Sequence, residues 1–121
     1  FSQEIKMDGA IIVSTPQEVA LLDVKRGIKM FDKLGVKILG LVDNMSYFTG
    51  DDGKKYKIFG EGGVRRTAEE FKKKFLGEIP INPEVGKCGD NGKPIVEANP
   101  KHEISKIYLV MANNIKSNYI N

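Results

Sequence analysis

The chain has 121 residues, 40% of them hydrophobic and 29% charged, a length and composition that suit one globular domain with a sizeable core. Its net charge of +3 comes from lysines scattered among acids, which argues against a nucleic-acid partner, and its lone Cys88 excludes an internal disulfide and fits a reducing cytoplasm. No apolar run approaches the roughly 20 residues of a membrane span and no secretory h-region opens the chain, whose first residue, Phe1, reads as the start of a piece of something longer.

In chain order, Ala10–Val13 is a short apolar run expected to form a strand buried on both faces. Thr15-Pro16-Gln17-Glu18 then reads as a helix start, with Thr15 as cap, Pro16 at the first helical position and Glu18 completing a capping box. Leu21, Val24, Ile28 and Phe31 share one helical face, and Gly35 is placed to end the helix in the left-handed region. Val36–Val42 is a second apolar strand, so the opening is a β-α-β unit with parallel pairing and a right-handed crossover. Tyr47-Phe48 and Tyr56-Lys57-Ile58-Phe59 flank Gly50-Asp51-Asp52-Gly53, the pattern of a β-hairpin with an Asp-Gly turn. A helix is expected from Gly63 to Lys74, with Val64, Ala68 and Phe71 inward, followed by a strand over Phe75–Ile79. The Gly-, Pro- and Asn-rich stretch from Asn82 to Pro94 reads as a loop. Asn99 and Pro100 read as the cap and first position of a last helix carrying Ile104, Ile107, Tyr108, Met111 and Ile115 on one side. The pattern as a whole is an α/β sheet.

Ligands of open parallel sheets bind at the carboxyl ends of the strands. Two such ends stand out: Asp43-Asn44-Met45-Ser46 and Pro80-Ile81-Asn82-Pro83. The Asn44 carboxamide sets a donor beside an acceptor and matches adenine's edge, while Pro80 is rigid and can lie flat against a base. The same residues also read as ordinary punctuation, Asn44 satisfying a local turn and Pro80 ending a strand. Other signals are weaker. Gly60-Glu61-Gly62-Gly63 precedes a helix, yet no Lys-Ser/Thr follows, so it is a turn and not a Walker A loop. His102 is the only histidine, expected exposed in the first turn of the last helix without a metal-binding partner, and Cys88 has no basic neighbour to activate it.

Several linked segments carry a resemblance: "DGAIIVSTPQEVALLDVKRGIKMF", "LGLVDNMSYF", "IFGEGGVRRTAEEF", "FLGEIPINPEV" and "GKPIVEANP". In this order, from about Asp8 to Pro100, they resemble the C-terminal half of the Mrp-type proteins, iron–sulfur cluster carriers among the MinD/ParA-related P-loop ATPases. The resemblance implies a doubly wound, mainly parallel P-loop NTPase sheet with an inserted hairpin, residues 1–121 being the C-terminal part of a single ATPase domain. It implies ATP and Mg²⁺ as ligands of the full-length protein, a cytoplasmic homodimer, and apo iron–sulfur proteins as recipients. Asn44, matching the family's "ENMS", would contact adenine, and Pro80, matching "GEIP", would line the base pocket. The family's phosphate-binding lysine loop, Mg²⁺ residues and "DTPPG" switch lie upstream of such a segment, so no residue here takes a catalytic role. Many members carry a Cys-x-x-Cys pair after "NMSYF" that holds the cluster between two subunits. This chain has Thr49-Gly50-Asp51-Asp52-Gly53 there, and carboxylates do not replace thiolates for such a cluster. Asp43 stands in place of the usual glutamate and Asn82 in place of a frequent aspartate. An alternative follows from these departures: a non-catalytic interaction or dimerisation module derived from the family that binds no nucleotide.

Overall fold

The computed structural model describes residues 9–119, with side chains through residue 117. Phe1 and Asp8, where the sequence reading placed the start of the chain and of the resemblance, lie outside the described residues. Strands β1 (Ala10–Ser14), β2 (Ile38–Asn44) and β3 (Phe75–Ile79) form a parallel sheet in the order β1-β2-β3. Helix α1 (Glu18–Leu34) crosses from β1 to β2, and α2 (Gly63–Glu70) leads into β3. Between β2 and α2 the chain makes a small antiparallel hairpin, βa (Phe48–Thr49) against βb (Lys55–Tyr56). After β3 come α3 (Pro83–Asp90), α4 (Ile95–Ala98) and α5 (Glu103–Tyr119).

The sheet carries a core on each face. Leu41 of β2 points into one cluster with Val24 and Ile28 of α1 and Val64 and Ala68 of α2. Its neighbour Val42 points into the other, with Ile79, Cys88, Ile95, Ile104 and Met111. This alternation on a strand covered from both sides is what a central parallel strand requires. Glycine allows the layers to close up: a Cβ at Gly63 would stand 2.5 Å from a Leu21 methyl, so α2 could not approach α1 with a side chain there.

Several expectations are corrected. β1 is not buried on both faces: Ile11 and Val13 are 42% and 57% exposed, because β1 is an edge strand among the described residues. Thr15 does not cap α1. Its hydroxyl is turned to Gln17 Oε1 (3.3 Å), Gln17 takes the extended N-cap geometry, and the first helical bond runs from Leu21 N–H to the Gln17 carbonyl (3.0 Å). Gly35 does end α1 in the left-handed region (φ 73°), and Val36 N–H closes back on the Phe31 carbonyl at 2.9 Å. That exit consumes Val36, and β2 starts two residues later than expected. α2 stops at Glu70 because Lys72 adopts φ 57°, with Lys73 N–H returning to the Ala68 carbonyl at 2.8 Å. The hairpin keeps its Asp-Gly turn, with Gly53 at φ 78° and Gly53 N–H on the Gly50 carbonyl at 3.0 Å. Its ladder is only two residues a side, however, and Ile58 and Phe59 lie beyond it.

The Asn82–Pro94 stretch is mostly helical. Asn82 accepts from Glu84 N–H (2.8 Å) as the N-cap and Pro83 takes the first helical position, a start signal that outweighs Gly86 and Gly89 inside the helix. Asn99 is the C-cap of α4 and does not start α5. His102 performs that task, half-buried, its Nδ1 accepting Ile104 N–H at 3.1 Å.

Candidate functional site

The carboxyl ends of β2 and β3 lie side by side, with Asn44 in register with Ile79. The ladder continues past the strands: Ser46 N–H bonds the Ile79 carbonyl (3.0 Å) and Ile81 N–H the Tyr47 carbonyl (2.7 Å). Asn44 and Pro80 are therefore brought to one edge of the sheet. Asn44 is half-buried and Pro80 is buried. The Asn44 Oδ1 accepts Met45 N–H at 3.0 Å and supports Met45 at φ 54°, so the asparagine does serve a local turn. Its second Oδ1 lone pair and both Nδ2–H donors have no partner among the described residues, so the carboxamide can still pair with a base edge.

On the α5 side of the sheet Asn44 borders a cavity of about 340 Å³ with Ile11, Val13, Leu76, Ile79 and Tyr108. The lining is apolar apart from Asn44 and Tyr108, and Pro80 does not contribute to it.

On the opposite side lies a polar cluster that sequence reasoning missed. Ser14, Asp43 and Glu78 are in register across all three strands. Asp43 is 1% exposed and Ser46 2%. Ser46 Oγ lies 3.1 Å from Asp43 Oδ2 and 3.2 Å from Glu78 Oε2, and Lys57 Nζ, just past the hairpin, lies 3.5 Å from Glu78 Oε2. Asp43 Oδ1 is buried without a partner. Burial raises the Asp43 carboxyl above the usual aspartate range, Glu78 adds to the shift, and Ser46 and Lys57 oppose it. Tyr47, buried beside the cluster, is raised by burial and then by Glu103 and Glu78, with Lys55 Nζ 4.6 Å from its ring centre. The Asp43–Ser46 spacing alone was visible in the sequence; Glu78 and Lys57 join only once the strand order is known.

At the hairpin tip Asp52 is fully committed. It accepts from Lys54 N–H at 2.9 Å and from the Tyr56 hydroxyl, which together hold its carboxyl below the ordinary range. Phe48 and Tyr56 of the hairpin and Ile58 and Phe59 beyond it are 37–60% exposed. Cys88 is buried in the apolar cluster under α3. Among the described residues no group of three or more histidine, cysteine, aspartate or glutamate side chains could hold a metal ion, and no helix is long and apolar enough to cross a membrane.

A family model described as "ParA: NUBPL iron-transfer P-loop NTPase" matches residues 1–116. The chain belongs to this family. It is 44% identical over 112 residues to an iron-sulfur cluster carrier protein of Aquifex aeolicus, covering 92% of the chain and 31% of the relative. It is 48% identical over 115 residues to an Arabidopsis thaliana iron-sulfur protein required for NADH dehydrogenase, mitochondrial, covering 94% and 37%. The chain thus spans about a third of the length of these curated relatives. Among solved structures, a nucleotide-binding protein of Archaeoglobus fulgidus in complex with ADP superposes with a TM-score of 0.66 at 38% identity, over 76% of this chain and 38% of that one. The cell-division ATPase MinD of Pyrococcus furiosus gives 0.69 at 22% identity over 91% and 43%, which shows the shared fold. The α/β fold expected from the sequence, a parallel sheet of the MinD-like P-loop type, is thereby established.

Proposed function

We propose that this chain is the base-binding and partner-facing portion of an ATP-binding iron–sulfur cluster carrier of Mrp type. The observation that carries the reading is the Asn44 carboxamide, with unpartnered donors at the carboxyl end of a parallel strand, in a chain whose relatives are named as cluster carriers. The residues present suit a nucleotide's base and not its phosphates: Asn44 can pair with adenine, Pro80 is buried outside the Asn44 cavity, and no lysine-bearing phosphate loop occurs in the sequence. ATP with Mg²⁺, when bound to the protein at the length its gene encodes, supplies the energy of hydrolysis. This chain's residues select and orient the base.

In the family that this reading invokes the cluster is cargo passed to apo iron–sulfur proteins by a homodimer, and this chain lacks the Cys-x-x-Cys pair that would hold it. A cytoplasmic location belongs to the same reading, although the Arabidopsis relative is named as mitochondrial. The hairpin brings no thiolate, and Asp52 is already spent on its own turn. The exposed Phe48, Tyr56, Ile58 and Phe59 favour a second reading, an interaction module that keeps a partner surface without nucleotide or cluster. Calorimetry with Mg-ATP on the protein at its gene-encoded length separates the two. Affinity in the micromolar range supports the carrier, and no heat of binding supports the module.

A further inference from the structure

The buried cluster at Asp43 contains a conflict that its geometry resolves in one way. Ser46 Oγ stands within hydrogen-bond distance of Asp43 Oδ2 and of Glu78 Oε2, at 3.1 and 3.2 Å. A serine hydroxyl has one proton and can donate to only one of them. If both carboxyls were ionised, one would face an oxygen lone pair at close range while Asp43 Oδ1 stayed buried and unpartnered. Ser14, the in-register neighbour on β1, offers no relief, because its hydroxyl donates to the Thr15 carbonyl at 2.8 Å.

The geometry points to a proton on Asp43, giving a continuous chain in which Asp43 Oδ2–H donates to Ser46 Oγ, Ser46 O–H donates to Glu78 Oε2, and Lys57 Nζ donates to Glu78 from the hairpin side. The Asp43 and Ser46 protons then each have one acceptor, and the orphaned Oδ1 is a neutral carbonyl oxygen, far cheaper to bury than half of a carboxylate. Net charge inside the cluster falls to zero, one carboxylate against one ammonium.

Asp43 is thereby a positioning residue. Its bond to Ser46 closes the Asp43–Ser46 turn around Asn44 and Met45, and the continuation through Glu78 to Lys57 ties the hairpin base to β3. The consequence for nucleotide binding rests on the reading proposed above, whereas the proton does not. The charged groups acting on Asp43 are Glu78 from β3, which favours the protonated form, and Lys57 beyond βb, which opposes it; burial exceeds both. Glu103 of α5 acts on the neighbouring Tyr47.

Because burial raises its folded-state affinity for a proton, Asp43 supports the fold fully at pH below its ordinary range, and that support is lost as the pH climbs through the raised value. Carbon-13 carboxyl shifts of the wild-type protein at its gene-encoded length test the proton directly and need no variant. The Asp43 carboxyl should still show the shift of a neutral acid at a pH above the ordinary aspartate range. A carboxylate shift there overturns the proposal. Asp43→Asn, whose Nδ2–H can donate to Ser46 as the acid does, should match the wild type in amide protection of Ser46 and Ile81 under acid conditions and exceed it in alkali. Ser46→Ala should lower that protection about tenfold throughout. Loss of protection in Asp43→Asn at every pH would show that the carboxylate form is the structural one and overturn the proposal. Mg-ATP affinity of the same proteins tests the nucleotide reading separately: absence of binding in all of them, with a neutral Asp43 signal, overturns that reading alone.

Discussion

Replacing Asn44 with alanine removes two things that can be measured apart. The first is the acceptor for Met45 N–H, a 3.0 Å bond at an exposed position. Water can replace that acceptor, so the loss should lie at the low end for a hydrogen bond, about 0.5 kcal/mol of stability. The second is the carboxamide edge offered to adenine, with one Oδ1 lone pair and two Nδ2–H donors still free. On the scale of a bidentate side-chain contact to a base this is worth about 1–3 kcal/mol, or roughly 5- to 150-fold in affinity. Thermal melts of Asn44→Ala should therefore move little, while calorimetry at the gene-encoded length should show a clear loss for Mg-ATP and a much smaller one for Mg-GTP. Asn44→Asp keeps the oxygen that holds Met45 N–H and loses the donors, so it should melt like the wild type and still bind ATP more weakly. Equal losses for the two nucleotides would refute the base assignment. So would ATP affinities that track the melting temperature across both variants, since the asparagine would then act only through its turn.

Lys72→Gly should stabilise the protein by about 0.5–1 kcal/mol in a chemical melt, because Lys72 holds φ 57° at the end of α2 without a conformational excuse; no gain would mean that the lysine side chain offsets the strain. The 121-residue chain by itself should self-associate through β1, whose outer edge is unpaired among the described residues and whose Val13 is 57% exposed, and Val13→Lys should reduce the association seen by sedimentation; a monodisperse wild-type monomer with a reversible melt refutes this. Reconstitution with iron and sulfide should leave no stable visible chromophore, and the double substitution Thr49→Cys, Asp52→Cys should restore one, unless loss of the Asp52 bonds to Lys54 and Tyr56 unfolds the hairpin, which amide exchange at Gly50 and Lys54 would report. The hairpin of the unmodified chain should loosen only in strong acid: the Asp52 carboxyl is depressed by its Tyr56 and Lys54 bonds, so its contribution is present above the ordinary aspartate range and lost as the pH falls through the lowered value.

The elements most legible in the sequence were those whose signals are local. Gly35 ends α1 because no other common residue takes φ 73° so cheaply, and Phe75–Ile79 is a strand to the residue. Where two local signals competed, the louder one misled. Thr15 and Pro16 looked like a cap and first position, but Gln17 takes the N-cap geometry and the helix starts at Glu18. The glycines of the Asn82–Pro94 stretch concealed an Asn-Pro helix start of the same kind, this time a real one. The length of α2 could not be read, since a lysine in the left-handed region leaves no mark in composition.

The site divides along the same line. Asn44 and Pro80 stood out as candidates because they close strands, and strand ends in a parallel sheet are where ligands sit. Their common edge follows from the β2–β3 pairing, which brings Asn44 opposite Ile79. The cluster behind them was not recognisable, because its members come from β2, the link to the hairpin, the residue after βb, and β3. Pairing Asp43 with Glu78 is a property of sheet order, and burying Asp43 beside a serine hydroxyl that also reaches half-buried Glu78 is a property of the layers above them. That difference bears on mechanism. Asn44 faces the cavity side of β2 while its neighbour Asp43 faces the cluster, as alternate residues of a strand must. One strand end thus presents the Asn44 carboxamide on one face and, one residue earlier, a buried acid linked to the hairpin on the other. The bonds of that acid run from Ser46 through Glu78 to Lys57, so the turn that carries Asn44 is tied to the hairpin.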